Sequence, residues 1–159
     1  LKLNGTIMPP AVQHPQRPIQ GLSCPRSEVS GARLWGFAKE RFGTPTNFFR
    51  TFFVGNYCPL AFLGLTGANI TPDKIERNTR DALLAICDEA LREWMQILEP
   101  RMVVGVGAFA EKRAAIALAE SGVRIGRILH PSPASPAANR DWGGKVATQL
   151  AELGIAIPS

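Results

Sequence analysis

Two short apolar runs bracket a helical block between residues 102 and 129, and that arrangement limits the fold more than any other feature of the chain. Met102-Val103-Val104-Gly105-Val106-Gly107 is rich in β-branched residues and free of charge. Such an unbroken apolar run marks a strand covered on both faces, not the half-exposed strand of an antiparallel sheet. From about Phe109 to Ser121 the chain is rich in helix formers, and Gly122 supplies a stop. Residues 123–129 then read as another strand. A strand, a crossover helix and a second strand in so short a span form a parallel unit, because parallel neighbours cannot be joined by a tight turn. The class expected is therefore α/β, with a parallel β-sheet flanked by helices on both faces.

The remaining pattern agrees with that class. Over 30–42, Leu34, Phe37, Ala38 and Phe42 share one helical face and Gly43 closes the helix. Phe52-Phe53-Val54 is a short β-type run that breaks at Gly55-Asn56-Tyr57-Cys58-Pro59. Thr71-Pro72-Asp73 reads as an N-cap, a proline at the first helical position and an acid, opening a helical turn. The main helix is expected from about Arg80, on the stripe Leu83, Leu84, Cys87, Leu91, Trp94, Met95 and Leu98, until Pro100 stops it. Val146, Leu150 and Leu153 mark a last helix ended by Gly154. Residues 1–26 carry Pro9, Pro10, Pro15, Pro18 and Pro25 and read as an irregular surface arm on a single α/β domain spanning 1–159.

Ligands of open parallel sheets bind at the carboxyl ends of the strands. That rule selects residues 56–59, 107–109 and 130–136. The last lies in HPSPASPAAN, where His130 ends a strand and Pro131, Pro133 and Pro136 stiffen the loop behind it by fixing φ. Its position aims His130 at the crevice, whereas Asn56, within Gly-Asn, is also an ordinary turn former. Gly105-Val106-Gly107-Ala108-Phe109-Ala110 fits the dinucleotide skeleton G-x-G-x-x-A, but the next strand ends Ile128-Leu129-His130 without the acid that would hold a ribose. The glycines are read as allowing helix and strand to pack closely. Trp94, Met95 and Trp142 are read as packing residues.

The net charge of +5, with a pI near 9.6, leans toward a polyanionic partner. Arg33, Lys39, Arg41 and Arg50 form no run and read as solvated surface. Cys24, Cys58 and Cys87 are an odd number at wide spacings, which argues against a disulfide framework, a zinc site or an iron–sulfur cluster. Cys87 is expected to be a small buried thiol. No metal, cofactor or membrane partner is expected, since no apolar run approaches the ~20 residues that span a bilayer.

SEVSGARLWGF (27–37), FFVGNYCPLAFL (52–63), ITPDKI (70–75), VVGVG (103–107) and HPSPASPAANRDW (130–142) together resemble the single-strand-selective monofunctional uracil-DNA glycosylases in order and spacing. The resemblance covers nearly the whole chain. It implies a uracil-DNA glycosylase-like fold of four parallel strands between helices, acting as a monomer on DNA containing uracil or a damaged pyrimidine such as hydroxymethyluracil, single- or double-stranded. Water would be the nucleophile in base-excision repair. Asn56 would read the uracil edge, accepting from N3–H and donating to O4. His130 would face O2 as the catalytic donor, and Pro131, Ser132, Pro133, Ala134, Ser135, Pro136, Asn139 and Arg140 would meet the DNA as a wedge filling the stack behind a flipped base.

Two departures from the family pattern stand out. Ala134 occupies the place of an arginine after HPSP, so Arg140 becomes a second candidate for the plug. Nothing in the chain matches the G-M-N-P-G-P type motif that orients the water, nor the strand before it, which is expected between the Phe52 and Met102 strands on polypeptide outside these residues. The resemblance implies a nuclear location in a eukaryote and a cytoplasmic one in a bacterium, the bacterial case being favoured. Two other readings are a DNA-binding module without catalysis and, on Gly105 and Gly107, a nucleotide-binding enzyme.

Overall fold

A computed structural model describes residues 5–158. Residues 5–28 carry one short 3₁₀ turn, Gly21–Ser23, and no other regular element. This arm is fastened at two points: the His14 ring nitrogen Nε2 lies 3.0 Å from the Gly64 carbonyl, and Arg17 Nε donates to the Gly67 carbonyl at 2.8 Å.

Helix α1 is Val29–Phe42, followed by the five-residue α2, Pro45–Phe49. Residues 62–63 (β1) and 69–70 (β2) make a two-residue antiparallel ladder around Gly64 and Gly67. A 3₁₀ turn at Pro72–Lys74 precedes α3, Arg77–Leu98. Then come β3 (Met102–Val106), α4 (Ala108–Ala117), β4 (Arg124–Ile128), a 3₁₀ turn at Pro136–Asn139 and α5 (Trp142–Glu152). No helix among the described residues is long and apolar enough to cross a membrane.

β3 and β4 run parallel with Val104 opposite Gly126 and Val106 opposite Ile128. Alternate residues serve opposite faces. Val104, Val106 and Ile128 join Leu34 and Phe37 of α1 and Trp142, Val146 and Leu150 of α5. Val103, Val123 and Ile125 join Leu91 and Met95 of α3 and Ala114, Ala117 and Leu118 on and after α4. The sheet thus carries helices on both faces, while the two charged residues of β4, Arg124 and Arg127, stay exposed. Gly105 explains the tight fit on the second face, since a Cβ there would lie 2.3 Å from the Glu111 backbone nitrogen. That is the packing role expected of Gly105, whereas Gly107 faces His130 and not the helix.

Several elements differ from the sequence expectation. The described residues hold two parallel strands, not three, because residues 52–54 form no ladder. A strand exists by pairing, and among the described residues no strand pairs with this segment. Phe52 instead enters the core with Phe42 and Phe48, and Phe53 stands edge-on to Trp94 with ring centroids 5.8 Å apart. Gly55 lies so close to that indole that a Cβ would meet it at 2.3 Å. α3 starts at Arg77, three residues before the expected Arg80, because the Glu76 carboxylate accepts from the Asn78 and Thr79 amides, each at 3.0 Å. Glu28 caps α1 in the same way, through Ser30 and Gly31. Glutamate is an uncommon cap, which hid both starts. Thr71 makes no side-chain cap. α4 ends at Ala117 rather than Ser121, where the Ser121 hydroxyl donates to the Leu118 carbonyl and Gly122 turns with φ 70°.

Candidate active site

The carboxyl ends of β3 and β4 open on one side of the sheet, and α5 fixes the second of them. The Leu129 amide donates to Gln149 Oε1 at 2.8 Å, and its carbonyl accepts from Trp142 Nε1 at 2.9 Å. Both backbone groups are taken by helix side chains, so the ladder ends at Ile128 and His130 leaves the strand from a fixed footing. Trp142 is buried and edge-on to Phe37, with centroids 5.9 Å apart, which makes it the packing residue expected.

His130 is exposed and its ring lies against the turn that follows β3. A Cβ on Gly107 would lie 3.0 Å from the His130 Cβ, a tight contact, and Gly107 has φ 91°, a backbone conformation that strains any side chain. The Ser132 amide donates to His130 Nδ1 at 3.0 Å. An accepting Nδ1 bears no proton, so the neutral ring carries its proton on Nε2.

The loop after His130 is built from short local bonds. Ser135 N–H donates to the Ser132 carbonyl at 3.0 Å, closing a turn with Pro133 second, and Ala134 N–H donates to Ser132 Oγ at 3.2 Å. Pro131 is buried, whereas Pro133, Ala134, Pro136, Asn139 and Arg140 are exposed. Asn139 spends its amide within the loop: Nδ2 donates to the Pro133 carbonyl at 3.0 Å and Oδ1 accepts from Arg33 Nη2 at 3.0 Å. Arg33 Nη1 also donates to the Pro131 carbonyl at 2.8 Å. The reading of Arg33 as a solvated base is therefore corrected. Arg41 departs from the same reading, with its Nε buried and unpartnered.

Asn56 is exposed and keeps a negative φ, so no left-handed turn accounts for it. Its neighbour Tyr57 reaches the same β3–α4 turn that His130 touches, the Tyr57 and Phe109 rings meeting edge-on at 5.8 Å. The segments expected from the strand-end rule thus adjoin one another around residues 107–109.

No family model matches the chain. Over 157 residues, 98% of its length, it is 48% identical to the single-strand selective monofunctional uracil-DNA glycosylase of Rattus norvegicus, and equally to the proteins of that name from Bos taurus and Mus musculus. By sequence, nearly the whole chain is similar to these glycosylases. It spans 56–58% of the length of these relatives. All three are mammalian, which gives no support to the bacterial, cytoplasmic expectation.

A buried polar network anchors the Asn56 loop. Tyr57 Oη has one proton, and the shortest bond, 2.6 Å to Asp88 Oδ1, takes it; the oxygen accepts in turn from Arg113 Nε at 3.1 Å. Arg113 Nη2 pairs with Asp88 Oδ2, and its guanidinium stands 5.9 Å from the Tyr57 ring centre. Burial, then the bond to Asp88, pushes the Tyr57 hydroxyl well above the usual phenol range. Burial opposes the charge on Arg113, but its bonds to Tyr57 and Asp88 outweigh this and raise its pKa. Cys87, the residue before Asp88, is buried as expected, and burial with Cys58 beside it pushes its thiol up to about 11. The sequence carries no signal for this network or for Arg33, because the partners lie 25 to 106 positions apart.

Proposed function

We propose that the intact protein is a monofunctional DNA glycosylase of base-excision repair, removing uracil and related pyrimidines such as hydroxymethyluracil from single- and double-stranded DNA. It works as a monomer, without metal or cofactor. The observation that carries this reading is the 48% identity across 98% of the chain to proteins named as single-strand selective monofunctional uracil-DNA glycosylases. The geometry accords with it. Hydrolysis breaks the C1′–N1 bond, leaves the electron pair on the base and adds water at C1′ with loss of a proton. The growing negative charge appears partly on O2 of the uracil. With Nδ1 held by the Ser132 amide, His130 offers Nε2–H to that oxygen, a donor that favours the departing anion over the neutral base.

Asn56 provides selectivity. Its amide accepts from uracil N3–H and donates to O4, while cytosine presents an acceptor and an amino group at those positions, leaving two polar clashes. Asn56 is held for this by its neighbour Tyr57. Residues 131–140 form the DNA-facing wedge, with Ala134 at its exposed turn. Flipping a base costs a few kcal/mol, which a stiff insert offsets by filling the vacated stack. The test is release of free uracil by the intact natural protein from matched single-stranded and duplex uracil DNA. Release from at least one substrate is expected. No release from either, with equal affinity for uracil and thymine DNA, would leave only a DNA-binding module.

A further inference from the structure

The prolines of the loop after His130 have no amide hydrogens, and its short turn makes few backbone bonds. Lys145 of α5 holds the loop's far end, donating from Nζ to the Ala137 carbonyl at 2.7 Å, and the turn itself is held by a side chain from a more distant helix. The Arg33 fork on α1 donates through Nη1 to the Pro131 carbonyl and through Nη2 to Asn139 Oδ1, while the other end of that amide donates to the Pro133 carbonyl. One planar guanidinium thus ties both sides of the turn that exposes Ala134. α1 is itself fixed on the core that supports His130, through Phe37 against Trp142 and Trp142 Nε1 on the Leu129 carbonyl. Brace and footing share one rigid base.

We propose that Arg33 is a positioning residue for strand opening: it holds residues 131–139 in the shape that fills the DNA stack, and so sets activity on duplex DNA relative to single strands. The proposal deepens the glycosylase reading and rests on it. A wedge must resist restacking, which costs a few kcal/mol to oppose in a duplex and is largely absent from a single strand. Asn139 accordingly acts inside the loop, as the relay between Arg33 and Pro133. Arginine is required because two acceptors at a fixed angle match its rigid fork, whereas a lysine ammonium keeps the charge and loses the geometry. A residue that merely contacted DNA phosphate would show the opposite dependence.

The experiment compares the intact protein with its Arg33→Ala and Arg33→Lys variants. Single-turnover uracil excision is measured on matched single-stranded and duplex DNA at one salt concentration, with hydrogen exchange of the loop amides in the free protein. Both variants are expected to lose about tenfold on duplex DNA and less than about twofold on single strands, a loss confined to strand opening. The amides of Ala134, Ser135 and Ala138 are expected to exchange faster in both, with β3 unchanged. Wild-type duplex activity in Arg33→Lys would assign Arg33 to a phosphate contact and overturn the proposal, as would equal losses on the two substrates or unaltered loop exchange. Failure of the wild-type protein to release uracil at all is a different result: it defeats the glycosylase reading and the wedge with it, while the exchange data still decide whether Arg33 braces the loop.

Discussion

Replacing Asp88 by asparagine tests whether the network behind Asn56 behaves as a buried one. The Asp88 and Arg113 side chains keep 10% and 15% of their exposure, so solvent screens their attraction poorly. Asparagine preserves the shape but removes the charge, leaving Arg113 cationic beside a neutral amide. Breaking a buried pair from one side costs about 3–5 kcal/mol. Arg113 Nε retains Tyr57 Oη as an acceptor, so the lower end, about 3 kcal/mol, is expected. With a urea slope of about 2 kcal/mol per molar for a small domain, the unfolding midpoint should fall by roughly 1.5 M. A double variant, Asp88→Leu with Arg113→Met, should recover most of that loss, because it removes both charges and fills the volume. A fall of less than about 0.5 M, the range of an exposed pair worth up to about 1 kcal/mol, would refute the argument, as would a double variant no more stable than Asp88→Asn. The same network predicts a pH effect. The folded pKa of Tyr57 lies above the unfolded value of about 10, so its contribution is complete below about pH 10 and declines as the pH rises further. Tyr57→Phe should make the alkaline decline shallower above pH 10 in denaturation measured from pH 8 to 11, leaving the part that Cys87, with its thiol pushed up to about 11, contributes.

Three further outcomes are expected. His130→Leu should lower single-turnover excision by about 10²–10³, by similar factors on single-stranded and duplex DNA; an intact rate would remove His130 from the chemistry. Ala134→Arg, which restores bulk and charge at the exposed turn, should raise duplex activity more than single-strand activity, and equal changes on both would separate this loop from strand opening. Gly105→Ala should destabilise the protein by about 1–3 kcal/mol in urea titration, because its Cβ would meet Glu111 and Ala110 backbone atoms that cannot rotate away; a neutral effect would contradict the tight packing of α4 on β3.

The sequence determined by itself those features that depend on local pattern. The apolar run at 102–106 and the β-branched residues of 123–128, interrupted by Arg124 and Arg127, with the helix between them, specify a parallel pair with helices on both sides, and the structure has that pair. The stripe of α3 and the position of His130 at a strand end are equally local, and so is the reach of the motifs that carry the family likeness. Burial of Trp142 and the packing role of Gly105 also come from their place in such patterns. Helix starts at Glu28 and Glu76 were hidden because a glutamate cap depends on a rotamer that folds back onto the helix, not on a residue type that favours the site. Residues 52–54 have the composition of a strand, but pairing is a property of neighbours, and the chain around them provides packing partners instead. Only the tertiary structure decided how the site is held. Arg33 meets Pro131 and Asn139 across 98 and 106 positions, and Tyr57, Asp88 and Arg113 converge from a loop and two helices. A charged side chain carries no mark of whether water or a distant carbonyl will satisfy it; folding settles that by choosing which groups lose their water together.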